Sequence, residues 1–252
     1  MGFWMVGGEL GRTIGPLVVV TTLGILSLKS LMFLSVFGVA TSVVLWLQLR
    51  SAPLEAPADG PEVPWRTALV RMRRLMGLLA GIVTARELMT MAATTFLVVY
   101  LESEGVSEWM GGTALSIVEA AGIAGALAGG WFSDRLGRRG VLLVGHLTAP
   151  LFVLALLAAD GWMRLPVLLG LGFTLLSIQP VNMALVQEQF PEMRAFANGV
   201  YLAMSFAIRS VAAVGFGAIA DGFGLRTAFA VSAVAMLAAA PIVLLLPDRA
   251  SP

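Results

Sequence analysis

Six ionisable side chains interrupt long apolar runs: Glu9, Arg12, Arg86, Glu87, Glu119 and Arg209. A charge held near the centre of a bilayer costs at least ~2.5–3.5 kcal/mol, so each position is either neutralised by a neighbour or used. The chemistry open to such residues is proton carriage by the acids and anion binding by the bases. Glu87 and Glu119 are the proton-coupling candidates, because burial favours the neutral, protonated form of a carboxylate. Arg86 and Arg209 are the candidates to line a substrate cavity. Polar residues extend these positions into stripes. Asn198, Tyr201, Ser205 and Arg209 recur at helical spacing, as do Thr113, Ser116 and Glu119, and Glu87, Thr90 and Thr94. Gln179 and Asn182 stand one turn apart, with Pro180 between them to loosen the helix. Structural alternatives exist for each charge. Arg86 and Glu87 can tie helices together, Glu119 and Arg209 can form a buried ion pair, and Glu9 and Arg12 can neutralise each other.

These residues need a frame, and composition indicates which. Of 252 residues, 58% are hydrophobic and 12% charged, with a net charge of +1. There is no cysteine and one histidine, His146. This excludes a disulfide scaffold, a thiolate or His-rich metal site and a cysteine nucleophile. The charge balance lacks the basic excess of a nucleic-acid binder. His146, near one end of its run, is read as incidental. No Walker A sequence is present, so no nucleotide is implied. No cofactor and no metal are expected.

A membrane-crossing helix needs about 20 mostly apolar residues. Eight such runs are read: Met1–Ser27, Leu31–Leu49, Leu75–Leu101, Trp109–Phe132, Val141–Ala159, Leu165–Gln187, Ala195–Ala220 and Thr227–Leu246. The expected fold is therefore all-α and polytopic. Arg50, Arg66, Arg71, Arg73, Arg74, Arg135, Arg138, Arg139, Arg194 and Arg249 fall on one side, against Lys29, Arg164 and Arg226 on the other. The first side is expected to be cytoplasmic, with both termini there. Residues 51–64 hold four prolines and three acids and read as a linker. Trp65–Leu75, basic and apolar by turns, reads as an amphipathic helix on the membrane surface or as simple positive-inside flanking. Gly122, Gly125 and Gly129 sit within an apolar helix, where small residues serve close helix packing.

One loop has a specific pattern. Gly130, Asp134, Arg135, Gly137, Arg138 and Arg139 form G-x-x-x-D-R-x-G-R-R between two apolar runs. Its carboxylate can meet a helix N-terminus, and its arginines can meet acids or lipid phosphates. This loop resembles the signature loop of the major facilitator superfamily. Gly2, Gly11, Gly15 and Pro16 resemble that family's antiporter motif, although Val19 and Val20 replace its closing glycines. Gly217–Gly224 echoes the weaker motif at the end of the family's eleventh helix. Residues 185–191 and 247–249 are similar to fosmidomycin-resistance-type exporters.

The resemblance implies a twelve-helix transporter fold of which this chain lacks the first four helices. Residues 1–50 would hold the last two helices of the first half, 51–74 the cytoplasmic linker, and 75–248 the complete second half. It further implies a multi-pass protein of the inner membrane that exports a small organic molecule or drug by proton antiport. The implied partners are the bilayer, the substrate and protons. A non-transporting scaffold or sensor of the same fold is the alternative. An intramembrane enzyme is disfavoured, since neither H-E-x-x-H nor G-x-S-x-G occurs.

Overall fold

The computed structural model describes residues 2–25, 32–33, 35–50 and 64–247, with the side chains of 2–10, 12, 13 and 49 left aside. The expectations for the linker, Lys29, Arg249 and the Glu9–Arg12 pair lie outside these described residues. Among the described residues ten α-helices follow in order: α1 Gly2–Ile25, α2 Ser35–Leu49, α3 Trp65–Thr90, α4 Leu97–Ser103, α5 Glu108–Leu136, α6 Arg138–Ala158, α7 Arg164–Leu176, α8 Ile178–Gln189, α9 Arg194–Phe223 and α10 Leu225–Val243. No strand occurs among the described residues.

Among the described residues six stretches are long and apolar enough to cross a membrane: Trp65–Thr95, Glu108–Leu136, Arg138–Ala158, Gly161–Gln189, Pro191–Phe223 and Leu225–Val243. Ile14–Ile25 and Ser35–Gln48 are shorter apolar helices. The bundle buries several polar and charged side chains within a largely apolar core and turns large apolar side chains outward. Arg86, Glu87, Glu119, Asn182 and Ser205 are buried, whereas Leu127, Val144, Leu151, Phe206, Val211, Val214 and Val234 face outward. Only a surrounding hydrocarbon phase makes that arrangement favourable.

α3 packs on α9 and α10, α5 on α7 and α1, and α6 on α7 and α10. The α5–α7 contact depends on missing side chains. A β-carbon on Gly125 would overlap the carbonyl of Phe173, and one on Gly172 would overlap that of Val118. Small residues thus let two backbones touch where no hydrophobic effect drives helices together. At the end away from the arginine-rich loops, Phe96 stacks on Phe216 at 4.6 Å, and Tyr100 on Phe229 at 4.7 Å. These aromatic pairs join the α3–α4 arm to α9 and α10.

Two of the expected runs, Leu75–Leu101 and Leu165–Gln187, fold differently from one unbroken helix. α3 is continuous from Trp65, so its basic first turns run without a break into the apolar stretch that follows. The reason is a shared face: Ala68, Met72, Leu75, Met76 and Leu79 are all buried, with no proline between them. Beyond Thr90, Met91–Thr95 forms a π turn before a bend at Phe96. Thr90 and Thr94 donate back to the carbonyls of Arg86 and Thr90 at 2.9 and 2.8 Å, a habit that bends helices. The sixth apolar run is cut at Ser177 into α7 and α8. Pro180 lacks an N–H and its ring meets the carbonyl four residues earlier, that of Leu176 where α7 ends.

Candidate functional site

The charges inside the bundle converge on α3, α8 and α9. Glu87 and Arg86 leave 4% and 5% of their side chains exposed, and Arg86 Nη1 lies 3.1 Å from Glu87 Oε1. The same Nη1 donates to Gln179 Oε1 on α8. Arg209 approaches from α9, its Nε 3.8 Å from Glu87 Oε2, with 39% of its side chain exposed. One buried carboxylate is therefore shared by two guanidiniums held very differently. Arg86 is pinned by two partners on two helices. Arg209 makes a long contact and keeps part of its fork open. Of the alternatives for Arg209, the structure shows a pair with Glu87.

Around this core lie buried polar groups with few partners: Tyr201 OH faces Ser205 and Asn182, and Asn198 Oδ1 has no hydrogen-bond partner among the described residues. Tyr201 stands beside Asn182 and Ser205, within electrostatic reach of Arg86 and Glu87. Proteins rarely leave such groups unsatisfied, and clusters of them mark places where water or ligand is bound. Arg86, Arg209, Gln179, Asn182, Tyr201 and Ser205, proposed from spacing alone, thus occupy one neighbourhood with Glu87. Glu119 is buried on α5. Its stripe mate Ser116 is buried as well, and Thr113 is half-buried.

A second charged cluster sits at the arginine-rich end. α5 ends at Leu136, Gly137 turns the chain with φ +89°, and α6 starts at Arg138. That left-handed conformation suits only glycine at low cost. Arg138 Nη2 lies 2.6 Å from Asp134 Oδ1 and 2.6 Å from Glu188 Oε1 on α8. Its Nε adds contacts of 3.2 and 3.3 Å to the Glu188 carboxylate, and its Nη1 donates to Ser133 Oγ. One arginine therefore ties the ends of α5 and α8 to the start of α6. Asp134 meets this side chain rather than a helix N-terminus. Arg135 lies over the Trp131 ring at 3.7 Å. Glu188 and Ser133 were not foreseen as partners. Glu188 does stand alone as the acid of its helix, which is the signal that could have found it.

Two other motifs read differently in space. On α1, a β-carbon at Gly11 or Gly15 would meet nothing within 4 Å, and Pro16 lies inside the helix. The contact to α5 is made instead by Val20, against which a β-carbon on Gly112 would collide. His146, read as incidental, is 0% exposed and packed inside the bundle.

Compared with known families, residues 1–213 match the Major Facilitator Superfamily. The chain belongs to that superfamily. A solved structure described as a Major Facilitator Superfamily transporter, FucP, in the outward conformation, is similar with a TM-score of 0.65. The two share 17% identity, and the likeness covers 91% of this chain and 60% of that one. At that identity the likeness speaks for the fold. This chain spans 60% of the length of the structure it matches. No curated protein matches. The Asp134–Arg138 loop and the polar cluster of α3, α8 and α9 both lie within the matched residues. Members of the superfamily are transporters.

Proposed function

We propose that this chain forms the larger part of a proton-coupled secondary transporter that exports a small organic molecule. In this reading α1 and α2 end a first helical half, and α3–α10 make the second half of six spans. The arginine-rich end faces the cytoplasm of a bacterial-type inner membrane. The observation that carries the reading is Glu87: a carboxylate 4% exposed, facing one pinned and one half-exposed guanidinium. Such a group can take up a proton only as its ion pairs loosen, which links proton occupancy to the positions of α3 and α9. Tyr201, Ser205, Asn198, Gln179 and Asn182 supply the hydrogen bonds that would orient a substrate. Glu119 is a second proton-carrying candidate. The similarity of residues 185–191 to fosmidomycin-resistance-type exporters supports export of a drug-like compound.

The test is transport by the complete reading frame in proteoliposomes with an internal pH dye. A panel of small organic acids and drugs is added under an imposed pH gradient. The expected result is substrate-dependent proton movement that Glu87→Gln abolishes while leaving protein yield unchanged. Proton movement of undiminished size in Glu87→Gln would overturn the assignment. A protein that moves neither protons nor any compound would favour the scaffold or sensor.

A further inference from the structure

The transport reading leaves a second cavity unused. At the end away from the arginine-rich loops, α5 and the chain entering α7 part to leave a groove of about 600 Å³. Trp109, Met110 and Ile117 form one wall, and Trp162, Leu165 and Leu168 the other. The groove begins one turn beyond the point where Gly172 meets the Val118 carbonyl. Besides the two indoles, its polar side chains are Thr113 and Arg164. Thr113 Oγ1 donates to the Trp109 carbonyl at 2.9 Å, so its proton is spent within its own helix. Arg164 is left as the polar anchor.

Helix geometry turns this groove away from the proton cluster. On α5, Gly112 meets Val20 of α1, and Glu119, two turns further on the same face, is buried. Met110, Thr113 and Ile117 step in threes and fours along another face. Trp109, Met110, Trp162 and Leu165 are all exposed. In a membrane-embedded chain such a face meets lipid, and paired tryptophans mark the level where hydrocarbon gives way to water. A molecule entering from that side is an amphiphile, with a tail for the groove and a headgroup for its mouth.

The mouth carries a charge pattern. Arg164 Nε donates to the Ala159 carbonyl at 3.0 Å, and its Nη2 lies 3.3 Å from Asp160 Oδ1. The arginine side chain is 15% exposed and that of Asp160 94%. The guanidinium is therefore held by backbone and packing, while its carboxylate partner stands in water, where such pairs are weak and exchange readily. Glu108, the exposed residue before Trp109, adds negative charge at the same end. A fixed positive charge beside exposed carboxylates is the complement of a zwitterion.

We propose that this groove is a binding site for a phospholipid with an ethanolamine headgroup. One acyl chain lies between α5 and α7, the phosphate accepts from the Arg164 guanidinium, and the primary ammonium donates to the Asp160 carboxylate. A headgroup bearing only negative charge would be repelled by Asp160, and a quaternary ammonium has no N–H to give. The lipid fills the gap that the glycine contacts leave open and joins the ends of α5 and α7. The site is separate from Glu87 and does not rest on the proton reading.

The full chain is reconstituted in nanodiscs holding equal amounts of ethanolamine, choline and glycerol phospholipids with identical acyl chains. It is then released and weighed intact by native mass spectrometry. One ethanolamine phospholipid per chain is expected to be retained, in about tenfold preference to either rival, the worth of one charge-assisted contact. Asp160→Asn, at an exposed position, is expected to erase the preference while phospholipid stays bound. Arg164→Gln is expected to release phospholipid of every kind. Thr113→Phe, which fills the groove, is expected to do the same, with melting in detergent showing that each variant is folded. If Arg164→Gln or Thr113→Phe does not fold, Asp160→Asn decides alone. Equal retention of the three lipids, a preference that survives Asp160→Asn, or retention untouched by a folded Thr113→Phe would overturn the proposal.

Discussion

Glu87 illustrates how unequal two arginines on one carboxylate are. Arg86 is buried among partners that need it. Arg86→Ala is expected to leave Glu87 and Gln179 buried and unpaired, at a cost of about 3–5 kcal/mol, the range for breaking a buried ion pair from one side. Arg209 is half in the open and holds Glu87 at 3.8 Å, so Arg209→Ala is expected to cost less than about 1 kcal/mol of stability. Its effect should fall on substrate affinity, with KM rising about tenfold, the equivalent of one 1.4 kcal/mol contact. Thermal unfolding in detergent and transport kinetics on the two variants separate these outcomes. The types of these residues were legible in the sequence, because a charge within an apolar run has to be accounted for. Their partners were not. Adjacent residues such as Arg86 and Glu87 diverge around a helix, and only long side chains curling together between α3, α8 and α9 let them meet.

At the scale of the element, glycines divide into two kinds that look alike in sequence. Gly125 abuts the Phe173 carbonyl, whereas a β-carbon on Gly130, part of the signature loop, would meet nothing within 4 Å. Gly125→Leu is expected to force α5 and α7 apart and to cost about 3 kcal/mol, the upper end for overpacking. Gly130→Ala is expected to be neutral or to stabilise by up to about 1 kcal/mol through helix propensity. Melting temperatures of the two variants check this. The break at Ser177 was legible in Pro180, since a ring without an N–H disrupts the preceding turn wherever it sits. The π turn at Met91–Thr95 had no such marker. Threonines tolerate several helical forms, and the packing of α3 against α9 and α10 selected one.

At the scale of the molecule, Arg138 fastens three helix ends together at the arginine-rich face. Its side chain is 12% exposed, but Asp134 and Glu188 are 66% and 43% exposed. Water therefore competes for both carboxylates. A double-mutant cycle on Arg138→Ala and Glu188→Gln is expected to give a coupling of about 1 kcal/mol, within the range for partly exposed pairs. That is small enough for a latch to open under thermal motion and large enough to bias which end of the bundle stays closed. A coupling indistinguishable from zero in unfolding measurements would remove Arg138 from that role.

The apolar runs by themselves determined that the chain is helical and membrane-embedded, because each long run must satisfy its own backbone hydrogen bonds in hydrocarbon. The D-R-x-G-R-R loop was likewise readable, since a tight glycine turn between two spans ties residue types to fixed spacings. Those features are local, and local physics is written in order along the chain. What only the tertiary structure decided was long-range pairing: Arg209 with Glu87 and Arg138 with Glu188. Each joins residues far apart in sequence. Which polar group meets which inside a bilayer depends on helix rotation and depth, and the packing of whole helices, glycine against carbonyl, sets both.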